Sequence, residues 1–385
     1  MSLSGSFGLD RDVLERTDLM TTASPLGRPA RVINMNRLGT ALTKLNDPPV
    51  RALFVYACNP AAVTPNHNLV IEGLKRKDLY TVVHEQFFTD TTDYADIVLP
   101  ATTFFEHKDL QASYGHYFLQ VSNQAIEPLG ECKSNVELFR ELARYMGWQE
   151  DYFAESDDSM IDAALASGSP KLAGIDRARL ENEGHVRVNL TPPDSYQNDH
   201  SVKKAAPAKS DNFVPFLPFA QGNFHTASGK AELYNESLIA LGQDPVASFT
   251  PPEESRHGVE AKKFPLELLS RKADNFLNSS FCNIPSVQAI QEVGLLEMAP
   301  ADATARGVKD GDSVRVFNQR GEVQLLARVN GSVQPGTVAS HLNWAKLSHG
   351  GKNINALTSE KLTDLGNSAT FYSVLVEVES VRPAT

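Results

Sequence analysis

The sequence predicts an α/β parallel-sheet domain followed by a small, mostly β domain. Three observations predict it. Short apolar runs rich in β-branched and aromatic residues stop at proline, as the strands of a buried parallel sheet do. Helical patterning separates the first two runs, which is the strand–helix–strand signature of α/β folds. Towards the C-terminus the patterning becomes strict alternation, the mark of strands with one covered face.

Residues 1–50 carry little periodicity, and Arg28-Pro29 and Asp47-Pro48-Pro49 read as loop and turn. Ala52 to Ala57 is a continuous apolar run closed by Cys58-Asn59-Pro60, and it reads as a strand buried on both faces. Asn68 to Lys77 reads as a helix with Leu69, Val70, Gly73 and Leu74 on one side. Leu79 to His84 and Ala95 to Leu99 are the next two strands, the second closed by Pro100. Ser134 and Glu137 form a capping box that opens a helix through Met146, which Gly147 is placed to end.

From about 150 to 262 the composition shifts. Asp157-Asp158, Pro192-Pro193, Lys203 to Pro207 and Pro251 to Glu254 resemble linkers, with helical stretches around 159–166 and 230–241 between them. The segment reads as connecting structure without a compact core of its own. Beyond it, Pro300 to Arg306 reads as a short helix, with proline early and Gly307 at the exit. Ser313 to Phe317 and Glu322 to Val329 are strands joined by a hairpin containing Gly321. Val333 to Gly336 is a tight turn, and Thr337 to Leu342 and Thr370 to Val378 complete about six strands. The expected division is therefore 1–150, 151–262 and 263–385.

Composition excludes several functions. Asp plus Glu exceeds Lys plus Arg, 47 against 36, so the surface lacks the positive field that nucleic acid binding requires. No apolar run is long enough to insert in a membrane as a helix. The cysteines Cys58, Cys132 and Cys282 are widely spaced, with no Cys-x-x-Cys pair for zinc or an iron–sulfur cluster. Their odd number fits a reducing, cytoplasmic setting better than a disulfide framework, although an export signal preceding this sequence would change the compartment.

Phosphate-loop and catalytic-elbow motifs are absent, and the ten histidines form no helically spaced metal pair. His349 to Lys352 is the nearest approach to a glycine-rich basic loop, and it reads first as a surface turn. Strand ends carry the stronger signal, because ligands of open parallel sheets bind beyond the strands' carboxyl ends. Asn59 follows the first strand, His84-Glu85 the second, and Glu106-His107 lies beyond the third. A carboxylate such as Glu85 could there accept hydrogen bonds from a ribose or a purine edge.

Phe54 to Pro60, Leu79 to Pro100 and Ala101 to His107 closely resemble the molybdopterin oxidoreductases of the dimethyl-sulfoxide-reductase type, which include formate dehydrogenases and nitrate reductases. Phe224 to Glu232, Met298 to Asp312 and Ile354 to Thr358 resemble further segments of the same family, in the same order. The resemblance implies a Rossmann-like domain followed by a six-stranded double-psi β-barrel. It implies molybdopterin guanine dinucleotide, held as a pair around one molybdenum, as the cofactor. By position, Asn59, His84, Glu85, His107 and Asn135 fall on cofactor contacts of the first domain, and Ser270, Arg271, Asn278, Ser279, Asn355 and Ser373 on those of the barrel. Arg271 is expected on a pyrophosphate. Asn278-Ser279 stands where many members have His-Thr, so roles specific to histidine do not carry over.

Intact members begin with a [4Fe–4S] domain and then supply a protein ligand to molybdenum. Neither segment is in this sequence, so the resemblance implies a C-terminal portion whose partners are the missing N-terminal domains. That portion is expected to hold the cofactor and to be inactive alone, while the intact parent transfers two electrons to or from a small substrate. The alternative is a non-catalytic relative that keeps the fold as a structural subunit of a respiratory complex.

Overall fold

The computed structural model describes residues 33–112, 115–189, 224, 226 and 228–381. Arg28-Pro29, Pro192-Pro193 and Lys203 to Pro207 lie outside the described residues, as do His225 and Ala227. In chain order the elements are α1 (Leu38–Lys44), β1 (Ala52–Tyr56), α2 (Pro60–Val63), α3 (His67–Leu74), β2 (Tyr80–Glu85), β3 (Ile97–Pro100), β4 (Asp109–Ala112), β5 (Phe118–Ser122) and α4 (Asn135–Tyr145). They continue as α5 (Asp157–Leu165), α6 (Arg177–Glu183), β6 (Val186–Arg187), β7 (Leu266–Arg271), α7 (Pro285–Ile290), β8 (Leu295–Met298), α8 (Pro300–Ala305), β9 (Ser313–Phe317), β10 (Glu322–Val329), β11 (Thr337–His341) and β12 (Leu375–Ser380). Among the described residues no helix is long and apolar enough to cross a membrane.

The chain forms two compact units that do not follow sequence order. One holds residues 102–130 and 136–250; the other holds 30–101, 131–135 and 251–385. The second unit contains both a parallel sheet ordered β1-β2-β3 and a closed barrel ordered β10-β8-β11-β7-β12-β9.

The sheet is covered on one face. Leu53 of β1 and Leu79 pack with Leu42 of α1 and Val70 and Leu74 of α3. Gly73 allows α1 and α3 to meet, because a Cβ there would lie 2.4 Å from that of Leu42. The opposite face was expected to be buried and is only partly so: His84 on it is 1% exposed, but other positions are open. Tyr56, Tyr80 and Ile97 on it are 47%, 51% and 41% exposed, although parallel sheets are normally covered on both sides. Apolar composition marked the strands correctly but could not reveal that one side is covered only in part.

The barrel is a closed mixed structure with its own core. β7 pairs parallel with β11, β8 pairs parallel with β10, and the remaining neighbours are antiparallel. Alternation sends Leu266 and Leu268 of β7, Val314 and Val316 of β9, and Val323 and Leu325 of β10 inward. The expected final strand begins later than its apolar pattern suggests, because Thr370 to Ser373 close a turn through the Ser373 amide.

The other unit corrects a second expectation. Residues 157–188 are not merely connecting structure: Ile161 and Leu165 of α5 and Leu180 of α6 share a core with Leu110 of β4 and Leu119 of β5. Of the helix expected over 230–241, only a 3-10 turn over Glu236–Leu241 forms, started by the Asn235 side chain, which caps the Ser237 amide.

Candidate functional site

The carboxyl ends of β1, β2 and β3 lie along one edge, since Tyr56 pairs with His84 and Glu85 with Pro100. Ala57 turns the chain out of β1 with a left-handed φ of 50°. Asn59 is then buried, and its Oδ1 accepts from the Thr91 hydroxyl at 2.7 Å and the Thr91 amide at 3.3 Å. Its Nδ2 has no partner among the described residues.

Glu85 is half-buried, and its Oε1 accepts from the Gln86 amide at 2.7 Å. Burial pushes its carboxyl up, and burial with the nearby Glu85 charge pushes the Cys58 thiol up. His84 is almost wholly enclosed and holds no hydrogen bond of good geometry at either ring nitrogen. Burial lowers its pKa against the opposing pull of the Leu99 and Lys133 carbonyls, so the neutral ring is favoured.

A polar seam joins this edge to the barrel. Asp90, absent from the residues singled out in the sequence, is 3% exposed, and its carboxylate accepts the amides of Ala345 at 2.5 Å and Lys346 at 3.2 Å. The Nδ2 groups of Asn353 and Asn355 donate to the carbonyls of Ala61 and Ala62 at 3.3 and 2.8 Å. Asn355 thus helps hold α2 against the barrel.

Beside this seam lies a cleft of about 250 Å³ lined by Val63, Ser270, Lys272, Asn278, Leu342, Asn355, Phe371 and Tyr372. It brings together three residues expected from the sequence, Ser270, Asn278 and Asn355. Inward alternation from Leu266 and Leu268 places Ser270 there, where its hydroxyl donates to the Phe371 carbonyl at 3.2 Å. Asn278 reaches it from a loop in which it adopts a left-handed φ of 51°, a conformation asparagine tolerates. Lys272 makes no ion pair or hydrogen bond that the structure shows among the described residues. The sequence reading missed Lys272, Phe371 and Tyr372. They flank Arg271 and Ser373, which it did choose.

The remaining expected residues lie elsewhere. Arg271 points to the outside of β7 and pairs with Glu297 at 2.5 Å, in a separate depression of about 390 Å³ that also includes Arg328 and His341. Ser279 contributes a backbone carbonyl that accepts from the Trp344 indole at 2.7 Å. Ser373 is half-buried in its turn. Asn135 is exposed at the start of α4, and His107 belongs to the other compact unit, where its Nδ1 meets the Thr102 hydroxyl at 2.8 Å.

This donor set suits a pterin nucleotide in part. A cation without a partner, amide and hydroxyl groups and two aromatic rings match phosphate, heterocycle edges and ring faces respectively. The unpartnered Nδ2 of Asn59 offers one more donor at the sheet edge. The volume falls below the roughly 300–1,000 Å³ of a complete small-molecule site, so the cleft has room for only a portion of such a ligand.

Comparison with known proteins matches two parts of the chain. Residues 8–145 match the molybdopterin oxidoreductase domain, and residues 266–375 match the molydopterin dinucleotide binding domain. The chain is 38% identical over 379 residues to the probable oxidoreductase YoaE of Bacillus subtilis, covering 98% of this chain and 50% of that protein. It is 29% identical over 378 residues to trimethylamine-N-oxide reductase 1 of Escherichia coli, covering 91% of this chain and 42% of that protein. Acetylene hydratase from Pelobacter acetylenicus shares the fold with a TM-score of 0.71 at 22% identity, over 92% of this chain and 47% of that one. The chain therefore spans about half the length of the relatives it matches. With both domains matched in the same order and a barrel closing where the second begins, the chain belongs to the molybdopterin oxidoreductases.

Proposed function

We propose that this chain forms one wall of a clamp for molybdopterin guanine dinucleotide, in a protein that moves two electrons to or from a small substrate. When bound, the cofactor supplies the redox chemistry at molybdenum, and the protein supplies grip and orientation. The observation that carries this reading is the cleft between α2 and the end of β7, with Lys272, Asn278 and Ser270 on its walls. Lys272 would neutralise a phosphate, Asn278 and Ser270 would orient a heterocycle edge, and Phe371 and Tyr372 would cover a ring face. At the sheet edge, Glu85 and the free Nδ2 of Asn59 would meet the guanine end. Arg271 would have to leave Glu297 to reach a pyrophosphate. His107, Asn135, Ser279 and Ser373 remain candidate contacts of the same clamp.

The exposed sheet face fits the same reading. Tyr56, Tyr80 and Ile97 present apolar surface that a further layer would cover. We take that layer, the [4Fe–4S] cluster and the protein ligand to molybdenum to belong to further sequence of the kind the longer relatives possess. A second reading, a structural relative without cofactor, is favoured by one observation: the amide donors of Asn355 and Asn353 and the Oδ1 of Asn59 are already used within the protein.

Metal and nucleotide analysis separates the two. The natural gene product carrying these 385 residues, purified from molybdenum-replete cells, is expected to contain molybdenum and acid-releasable GMP in a fixed ratio. Lys272→Ala is expected to lower both, by about tenfold in affinity for loss of one charged contact, and Arg271→Ala to lower them less. Neither component in the wild-type protein would favour the structural relative.

A further inference from the structure

Resting on the clamp reading, we infer that Trp344 is a positioning residue for Asn278, and that Asp90 fixes Trp344 in turn. A chain of hydrogen bonds runs from the sheet into the cleft. Asp90, in the loop after β2, holds the amides of Ala345 and Lys346 at 2.5 and 3.2 Å. This fixes the 3-10 turn of Ala345–Leu347 and the backbone of Trp344, whose carbonyl accepts from the Leu347 amide at 3.0 Å. The Trp344 ring is 6% exposed and packs with Ala62, Phe276 and Cys282. Its indole N–H reaches out of that apolar cluster and donates to the Ser279 carbonyl at 2.7 Å. The Cys282 thiol donates to the same carbonyl at 3.3 Å.

Ser279 is the residue after Asn278, so the indole clamps the tip of the loop that presents Asn278 to the cleft. That tip needs holding. Leu277 and Ser280 close on each other through two backbone bonds, and Asn278 and Phe281 both adopt left-handed conformations, with φ of 51° and 68°. For a bulky residue such as Phe281 this conformation is strained, and such strain persists only where the surroundings enforce it. Phe281 is 56% exposed and Leu277 54%, so packing of their own side chains does little of the enforcing. Beyond the tip, the Phe281 carbonyl accepts from the Ile284 amide at 3.1 Å and the Cys282 carbonyl from the Gln288 side chain at 2.8 Å. On the Ser279 carbonyl at the tip itself the donors are Trp344 Nε1 and Cys282 Sγ, and of the two the indole is the stronger.

A tryptophan serving only as core would behave differently from one that aims Asn278. Trp344→Phe keeps most of the ring and removes the donor. In the natural gene product it is expected to speed hydrogen exchange at the Leu277 and Ser280 amides by about five- to tenfold, as loss of one hydrogen bond would. Amides of β7 and β10 should exchange as before. Acid-released GMP is the second readout. Asn278→Ala and Trp344→Phe should each lower it, and the double variant should lower it no further than the stronger single one. Should Trp344→Phe fail to fold, Asp90→Asn acts earlier in the chain and should speed exchange at Ala345, Lys346 and the loop tip together. Unchanged exchange at Leu277 and Ser280, or fully additive GMP losses, would overturn the positioning role. A wild-type protein without GMP would instead remove the clamp reading, and the exchange experiment would still decide whether Trp344 holds the loop.

Discussion

The sheet and the barrel are built from similar apolar residues and finish in different states. The barrel closes on itself, so alternate side chains of β7, β9 and β10 reach an interior that needs nothing else. The three-stranded sheet does not close on itself and has one face covered only in part, and it leaves Tyr56, Tyr80 and Ile97 substantially exposed. A strand's composition shows that it seeks burial; topology decides whether it obtains it. Here the closed element supplies stability and one wall of the cleft, and the open element supplies strand ends beside it.

The contrast is most easily broken by paired truncations. Leu268→Ala inside the barrel should destabilise by about 3 kcal/mol, through lost burial and a residual cavity. Ile97→Ala on the open sheet face should cost under about 1 kcal/mol in urea unfolding, because its side chain is already partly in water. Equal losses would mean that the sheet face is covered in solution.

Gly321 tests the join between the two regions. A Cβ there would lie 2.3 Å from Asn68 Nδ2 of α3 and 3.1 Å from the Ala356 carbonyl. Gly321→Ala is expected to cost about 1–2 kcal/mol and to break the bond from Asn68 to the Arg320 carbonyl. A neutral result would show that the Asn68 amide can move aside freely.

A smaller effect should separate the regions by pH. The Arg256 guanidinium beside Glu267 holds its carboxyl below the usual range, so its stabilisation is present above the ordinary carboxylate pKa and is lost as pH falls through the lowered native value. Burial raises Asp90 despite the amides of Ala345 and Lys346. Its native form therefore binds a proton more tightly than the unfolded chain, and its contribution declines as pH rises from the ordinary carboxylate value through the raised one. Glu267→Gln should weaken the acid-side loss, and Asp90→Asn should flatten the decline on the rising side. Chemical unfolding across that range checks both signs.

Much of this architecture was legible locally. Continuous apolar runs located β1, β2 and β3, and alternation located β9 and β10, because those elements carry their own patterns. β7 and β8 are not legible as strands, because both take their pairing from strands distant in sequence. In the site, alternation from the buried Leu268 would have shown that Ser270 faces in and Arg271 faces out, had β7 been recognised. Asp90 was not legible as a pin, because its partners, the amides of Ala345 and Lys346, lie some 255 positions away and carry no side-chain signature. The enclosure of His84 was hidden for the same reason, since Lys133 bridges Ala101 at the end of β3 only after folding.

The most direct test is an experimental structure of the natural gene product isolated from molybdenum-replete cells. Pterin nucleotide density is expected in the cleft, within hydrogen-bonding distance of Lys272 and Asn278, with Trp344 still on the Ser279 carbonyl. A cofactor bound elsewhere, with this cleft filled only by solvent, would contradict it.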